Sequence, residues 1–355
     1  MSASQLLPVT HILPLTIVRR ERQLPVPGTI SARLNERVQA TDILAEAEIT
    51  PRHLYLNLGR GLGIPEREVA QVLVHQPGDW VEAGEVLAGP VGVARRTVRA
   101  PASGRLAAVV GGRALFEVRG ATYSLRAGVP GMVVGTDGSR SVVLEISGAL
   151  IQGKWGNGRQ EYGLMRLVTS NPSERLLSSQ LDINLRGAIL IAGILDHAAP
   201  FSILTELTVR GLVLGSMASD LIPLAQRMPF PILLTEGFGS LPMCSPAFNL
   251  LSANAGREAA VDARPSDPDS MQRPEIIIPL PAGRQADVPN EVIPLAKGSR
   301  VRVLRPPHQS AVGTVRDLPA RAADLPSGLL ARVALVELES LGLKSVPIAN
   351  LEVLQ

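Results

Sequence analysis

The chain has 355 residues, of which 45% are hydrophobic and 19% charged, and this length is sufficient for two to four folded domains. Its net charge of +3 comes from 35 basic and 32 acidic residues interspersed along the sequence, which excludes the dense basic surface of a general nucleic-acid-binding protein. The single cysteine excludes an intramolecular disulfide and a multi-cysteine metal site.

The rest of the composition favours strands and turns. Aromatic residues make up only 3% of the chain, so Val, Ile, Leu and Ala must build the cores, and 33 Gly and 29 Pro imply many turns. No apolar run reaches the ~18 residues of a membrane span. The arginines near the N-terminus follow the apolar residues 12–18, the reverse of a secretory signal. We therefore predict a multi-domain, β-rich α+β protein that is soluble and cytoplasmic and holds no metal.

The first informative segment is a repeat. Residues 38–45 and 81–88 share one pattern, which reads apolar, polar, Ala, small, acidic, β-branched, Leu, Ala. Each copy follows a turn and leads into further β-type sequence. Residues 76–79, Gln-Pro-Gly-Asp, carry the signature of a type II turn. The repeat therefore predicts a small β-sheet unit built from strands and tight turns.

Residues 74–88, together with residues 98–106, resemble the biotinyl/lipoyl-type barrel-sandwich hybrid. That family typically shows G-D-x-V-x-x-G-x-x-[LIV] in one half and A-P-x-x-G in the other. In its carrier members, a lysine on the hairpin between the halves bears the cofactor. The corresponding residues 89–97 contain no lysine, so the resemblance implies a framework domain over residues 1–127. Covalent biotin or lipoate is not expected, and no other cofactor is predicted. The earlier copy, residues 28–45, lacks the Gly-Asp turn and predicts an added hairpin or half of a second module.

Residues 128–180 are predicted to connect two domains. Asp137-Gly138 between two apolar stretches indicates a hairpin, and residues 172–177 predict a short helix. The glycine-rich loop 153–159 has two interpretations. Lys154 and Arg159 could hold a phosphate while Trp155 stacks on a base or enters a partner's pocket. Alternatively, Asn157-Gly158 forms a tight turn and Trp155 covers a sheet.

Residues 181–264 alternate short apolar strands with helices, at about 200–209, 220–227 and 246–253. This alternation predicts a parallel sheet covered on both faces, a small doubly wound α/β layer domain with no named family.

The carboxyl ends of those strands form the predicted ligand site, because open α/β sheets bind ligands there. The alternative is that the polar residues only cap helices. A nucleophile–base set of Asp196, His197 and Cys244 is a further reading, although nothing in their spacing specifies it. We predict no catalytic residues, and the ligand-binding candidates are Asp196, His197, Ser216, Glu236, Gly237 and Gly239.

Residues 265–296 predict a proline-rich linker with one strand at 275–278. Residues 297–355 resemble a KOW-type or SH3-like barrel, in which G-x-x-V-x-V precedes G-x-V and the last strand reads P-x-x-x-L-E-x-[LI]. Such barrels bind RNA or protein. A basic patch that could contact RNA phosphates, or simply be a solvated face, is predicted from Arg300, Arg302, Arg305 and Arg316.

These features predict a non-catalytic binding or scaffold protein. Its expected partner is a protein or a larger assembly, with RNA as a second candidate through the terminal barrel. The alternative is an enzyme or small-ligand sensor that uses the carboxyl edge of the α/β sheet. An adaptor of the cell envelope is a third reading. The sequence leaves the oligomeric state open.

Overall fold

The computed structural model describes residues 6–49, 52–266, 272–281, 288–290 and 292–355. Strands contain 46% of the residues and helices 13%, which confirms a β-rich protein. The strands lie in several sheets, and the largest of these has eleven strands.

The strands before residue 170 are β1 Val9–Thr10, β2 Ile12–Gln23, β3 Thr29–Ile30, β4 Arg37–Val38, β5 Ile43–Glu48, β6 His53–Asn57, β7 Trp80–Val81, β8 Val86–Val91, β9 Arg96–Arg99, β10 Gly104–Val110, β11 Arg113–Val118, β12 Thr122–Arg126, β13 Gly131–Thr136, β14 Ser141–Gln152, β15 Trp155–Gly156 and β16 Gln160–Leu167.

The later strands are β17 Ile189–Leu195, β18 Gly211–Met217, β19 Ile232–Phe238, β20 Glu258–Asp262, β21 Glu275–Pro279, β22 Arg300–Val303, β23 Val312–Asp317, β24 Ala323–Asp324, β25 Leu330–Ala331, β26 Val333–Leu338, β27 Gly342–Pro347 and β28 Leu351–Leu354. The α-helices are α1 Leu58–Leu62, α2 Glu66–Val69, α3 Ala199–Glu206, α4 Ile222–Ala225 and α5 Ser245–Ala253.

Residues 52–118 form a unit with its own core, which we call the inner module. Its four-stranded sheet has the order β6-β11-β10-β7, and β8 pairs with β9 beside it. The core includes Leu87, Leu106 and Phe116, all fully buried. The sequence analysis missed helices α1 and α2. The Leu-Gly-Arg-Gly-Leu sequence of α1 has weak helix propensity, and α2 is only four residues long. Burial of Leu58 and Leu62 in the module core and capping of the Arg60 amide by Asn57 at 2.9 Å offset that weakness.

A second unit is built from the two segments that flank the inner module in the sequence, and we call it the outer module. It consists of residues 28–48 and 122–136, which carry β3, β4, β5, β12 and β13. Strand β5 pairs with β12, and the inner module lies in the chain between these two strands. In the inner module, β8 and β9 form the corresponding pair, and they are joined by the short turn at residues 92–95. One module is therefore inserted at the hairpin tip of the other.

The two modules repeat each other in their backbone register. In the outer module Gly131 pairs with Val38, and in the inner module Gly104 pairs with Val81. The turn hydrogen bonds also match. The bond from Asn35 N to Val133 O (2.8 Å) in the outer module corresponds to the bond from Gly78 N to Leu106 O (2.7 Å) in the inner module. The bond from Ala127 N to Asp42 O (2.9 Å) likewise corresponds to the bond from Ala100 N to Glu85 O (2.8 Å).

The first copy has Asn35-Glu36 where the second has Gly78-Asp79, and the turn keeps the same backbone conformation. Asn35 has φ +64°, and Gly78, at the equivalent position, has φ +105°. Asparagine tolerates this left-handed conformation better than most residues. Glu36 then accepts a hydrogen bond from Arg33 N at 2.8 Å, as Asp79 does from Gln76 N at 2.7 Å. The first copy is thus half of a second module, and the two echoed segments pair within their own modules.

The eleven-stranded sheet is mixed. Strands β16, β17, β18 and β19 are parallel and follow one another in sequence, whereas β20 is antiparallel to β16 on its other side. Helices α3 and α4 pack on one face and α5 on the opposite face, so both faces are covered as predicted. The predicted parallel sheet is incomplete, because β20, β21 and β14 extend it with antiparallel pairs.

Three helices of this region agree with the sequence analysis, but the helix expected at residues 172–177 is absent from the described structure. Glu174 instead closes a turn by accepting hydrogen bonds from Ser170 N and Ser170 Oγ at 2.8 and 2.7 Å. The chain then extends, and Leu176 N donates to Ile194 O beside β17. Competition by the Ser170–Glu174 turn therefore prevents helix formation.

The predicted strand at 275–278 is observed as β21, which pairs with β14 and β20. Other parts of the predicted linker, residues 267–271, 282–287 and 291, lie outside the described residues. In the terminal region, β22, β23, β26, β27 and β28 form one sheet, and β1 completes it by running parallel to β28. Val312 and Leu354 of this sheet join the core on the α5 face of the mixed sheet.

Candidate functional site

The predicted ligand residues do lie at the carboxyl end of the parallel strands. Most of their polar groups have partners within the protein, whereas Asp196 Oδ1 is buried without a hydrogen bond among the described residues. Asp196 follows β17 and forms an ion pair with Arg175, and His197 Nε2 lies 3.6 Å from Asp196 Oδ1. Ser216 is buried in β18, where its Oγ donates to Leu241 O at 2.7 Å and accepts from Leu241 N at 2.8 Å. Ser216 thereby anchors the loop after β19.

The two predicted glycines have backbone roles at the end of β19. Gly237 has φ +102° and Gly239 has φ +110°, a region that disfavours side chains. A β-bulge lies just before them, since Leu214 pairs with Leu234 while Ser216 pairs with Gly237. A bulge redirects the side chains next to it. Glu236, the bulged residue, is turned towards the terminal sheet.

Glu236 belongs to a buried ion network, which we call the interdomain network. Glu236 Oε1 accepts from Cys244 N at 3.0 Å and lies 2.8 Å from Arg302 Nη1. Arg302 also pairs with Glu352 on the neighbouring strand β28. Lys154 Nζ lies 2.7 Å from Glu352 Oε2, and Thr10 Oγ1 donates to the same oxygen at 3.0 Å. The network joins the mixed sheet, the terminal sheet and the N-terminal strand.

The structure therefore brings together three residues that the sequence analysis assigned to separate sites, namely Lys154, Glu236 and Arg302. Arg302 is not part of an exposed basic patch, because its side chain is only 2% exposed. The sequence analysis placed Arg302 in a surface patch, but the mixed sheet covers it, since Arg302 Nη1 contacts Thr235 O and Glu236 Oε1. Within the described residues, Arg302 Nη2 is buried without a hydrogen-bond partner.

The opposite charges of Arg302 and Glu352 favour each other's ionised state. Burial by itself would lower the pKa of Arg302, but Glu236 and Glu352 raise it above its ordinary value. Burial would raise the pKa of Glu352, but Arg302 and Lys154 hold it below the usual range. Burial lowers the pKa of Lys154, with Glu352 opposing. The arrangement is that of a structural ion network whose members depend on one another.

Cys244 is predicted to be unreactive in the native protein. Burial, and secondly the charge of Glu236, raise the pKa of its thiol to about 12. Only the thiolate is nucleophilic, so we expect almost no alkylation by iodoacetamide at pH 8 in native conditions and rapid alkylation in guanidinium chloride. Mass spectrometry of the Cys244 peptide measures both. Fast labelling of the folded protein would contradict this expectation and would revive the nucleophile reading.

The other three residues of the predicted basic patch lie at the surface of the terminal sheet. Arg300 Nη2 pairs with Glu339 Oε1 at 2.8 Å, and Arg316 Nε donates to Glu337 Oε2 at 2.5 Å. Arg305 is exposed. Two of the three charges are thus balanced by neighbouring glutamates, which reduces their attraction for RNA phosphates.

The glycine-rich loop forms an edge of the mixed sheet. Trp155 and Gly156 pair with β19, and the Trp155 ring packs edge-to-face on Phe238 with centroids 5.5 Å apart. The Asn157 side chain donates to Ala225 O and Phe230 O at 3.0 and 2.9 Å. Lys154 faces the interdomain network, whereas Arg159 is exposed. These contacts favour the structural interpretation of Trp155.

The sequence analysis missed an open cleft of about 710 Å³ between the outer module and the mixed sheet. We call it the arginine cleft, because arginine is its most frequent charged residue. Its walls come from residues 22–23, 40–41, 123–126, 128, 158, 160–162, 210, 260–262 and 264. No short motif could reveal a site assembled from segments so far apart. The arginines that line it are Arg22, Arg126, Arg210 and Arg264.

Comparisons with known proteins supply no family, since no protein-family model and no curated protein matches the chain. None of the helices in the described part of the chain has the length and apolar character needed to cross a membrane. The described residues also contain no group of three or more His, Cys, Asp or Glu side chains that could hold a metal ion.

Proposed function

We propose that this chain is a non-catalytic binding or scaffold protein that docks a protein partner on its inner module. The nested repeat supports interpreting both modules as barrel-sandwich hybrids of the biotinyl/lipoyl type, and the terminal sheet as an SH3-like barrel. The turn at residues 92–95, which links β8 and β9, contains no lysine. The module is thus proposed to serve as a framework without a covalent cofactor.

The observation that carries this proposal is an aromatic surface on the inner module. Tyr55 is 80% exposed and Trp80 is 49% exposed, in a chain with only two Trp and three Tyr. Exposed aromatic side chains are enriched in protein–protein interfaces and often dominate the binding energy. Burial of these rings against a partner would remove a large apolar area from water.

Both rings lie on one face of the four-stranded sheet. Trp80 pairs with Arg105, Arg105 with Glu117, and Glu117 with His53, so these four side chains share a face. Tyr55 is two residues beyond His53 and therefore points to the same side. Arg105 and Glu117 form an ion pair of 2.8 Å between the rings. The face therefore has an aromatic ring on each outer strand and an ion pair between them, a combination suited to contact with another protein.

Affinity capture from native extract tests this proposal. The full-length chain is expected to recover specific proteins, and Tyr55→Ala/Trp80→Ala is expected to lose them, because both rings would be buried at the interface. Leu343→Ala, an exposed apolar residue of the terminal sheet, is the matched control and should recover the same proteins as wild type.

The proposal fails if the double variant recovers the same proteins as wild type while circular dichroism shows all chains to be folded. Recovery of RNA, sensitive to ribonuclease and insensitive to the double variant, would favour the terminal barrel as the binding surface instead.

A further inference from the structure

The arginine cleft carries an excess of positive charge. Four arginines line it against two acids, Glu161 and Asp262, which leaves two uncompensated positive charges. Among the residues that the structure describes, Arg126 and Arg210 have no carboxylate within ion-pairing distance, and both are exposed. Arg210 Nη1 donates to Tyr162 O at 3.0 Å, which holds its guanidinium beside the sheet.

Asp262 cannot neutralise the two arginines at the base of the cleft. Its oxygens accept from Arg264 Nη2 at 2.7 Å, Arg264 Nε at 3.0 Å and Gln160 Nε2 at 2.7 Å. Arg22 Nη1 lies further away, at 3.5 Å. The lone pairs of Asp262 are thus mostly used by Arg264. Glu275 also acts on Arg22 and Arg264, but it is ion-paired with Arg20, so two carboxylates face three guanidinium groups.

Arg22 has hydrogen-bond donors to spare. Its Nε donates to Ala127 O at 2.9 Å, and the residue is buried, yet a guanidinium carries five N–H donors. Burial lowers the pKa of Arg22, with Asp262 and Glu275 opposing. Arg22 lines the cleft, and Gly128 lies against its Nη2, where a Cβ would stand 3.3 Å away, so a side chain at this position would crowd the guanidinium.

We propose that the arginine cleft binds a small molecule with at least two oxyanion groups, either phosphates or carboxylates. Guanidinium groups recognise both through paired, charge-assisted hydrogen bonds. The cleft volume of about 710 Å³ is within the usual range for small-ligand sites. The buried Arg22 and the partly buried Arg264 form the base of the site, and the exposed Arg126 and Arg210 contact the anion at its rim.

Isothermal titration calorimetry at low ionic strength tests the site with two probes, tripolyphosphate and citrate. At least one probe is expected to bind with one-to-one stoichiometry, and the stronger of the two identifies phosphate or carboxylate as the preferred group. Arg126→Ala/Arg210→Ala is expected to weaken binding by roughly tenfold or more, because each arginine supplies a charge-assisted hydrogen bond. Both residues are exposed, so this variant should fold normally.

Arg186→Ala/Arg227→Ala is the matched control, because it removes the same charge from exposed sites outside the cleft. Its affinity should equal that of wild type. The proposal is overturned if neither probe saturates the protein, if the cleft variant binds as tightly as wild type, or if the control weakens binding as much as the cleft variant. Capture of a protein partner by the inner module is a separate readout, so either proposal can fail without the other.

Discussion

Arg302→Ala is expected to lower the free energy of unfolding by about 3–5 kcal/mol, the cost of breaking a buried ion pair by removing one partner. Without Arg302, the buried carboxylates of Glu236 and Glu352 lose their shared counterion, and only Lys154 remains to balance Glu352. Denaturant unfolding followed by tryptophan fluorescence measures the loss, since Trp155 packs on Phe238 at the end of the strand that carries Glu236.

Arg300→Ala is the matched control on the same strand. Arg300 pairs with Glu339 at the surface, where an ion pair contributes about 0–1 kcal/mol. Equal effects of the two variants would contradict the assignment of the interdomain network as a stabilising element.

The effect of Arg302→Ala should also depend on pH. Glu352 has a folded-state pKa below its unfolded value of about 4.3, so its contribution is present above that value and is lost as the pH falls through the folded-state pKa. In the variant, only Lys154 opposes the effect of burial on Glu352, so the ionised Glu352 carboxylate destabilises the folded state at neutral pH. The difference in stability between wild type and variant is therefore expected to be largest near neutrality and to shrink as the pH falls through the folded-state pKa of Glu352.

Phe116→Ala is the second large change, with an expected loss of about 3–5 kcal/mol for a fully buried Phe. Phe116 is 0% exposed in the core of the inner module, which is separate from the other cores. We expect the variant to unfold the inner module while the outer module and the mixed sheet keep their structure. Hydrogen exchange read out by mass spectrometry should show lost protection in residues 52–118 alone.

Leu144→Ala is the counterpart in the other core. Leu144 is 0% exposed in the cluster that contains Val38, Val133 and Val142 of the outer module and the strands next to it. Its substitution should reduce protection in β13 and β14 and leave the inner module intact. Uniform loss of protection along the whole chain in both variants would show that the two modules unfold as one unit.

Local patterns in the sequence predicted much of the fold. The hairpin at Asp137-Gly138 and the helices that begin near Pro200 and Pro246 depend on neighbouring residues, and each is observed. The repeat was visible as well. Its nesting was not, because it depends on which strands pair, and β5 finds β12 only after the whole inner module has intervened.

The candidate sites depend on contacts between distant parts of the chain, and the sequence could not supply these. Thr10 and Glu352 are 342 residues apart, and Arg302 and Glu236 are 66 residues apart. Alternation on β22 predicted that Arg300 and Arg302 share a face, but it could not show that the mixed sheet covers one of them and leaves the other in water. The arginine cleft was missed for the same reason.

The insertion of one module within another imposes an order on biosynthesis. The ribosome delivers the first half of the outer module, then the entire inner module, and only afterwards the complementary half. Until β12 and β13 have been synthesised, strands β4 and β5 lack their partners and can bind chaperones or pair wrongly with other nascent chains. Rapid folding of the inner module would shorten the effective loop between β5 and β12 and so speed the pairing of the two halves of the outer module. Substitutions that slow the inner module should therefore reduce the yield of native protein from cells beyond what their equilibrium cost would suggest.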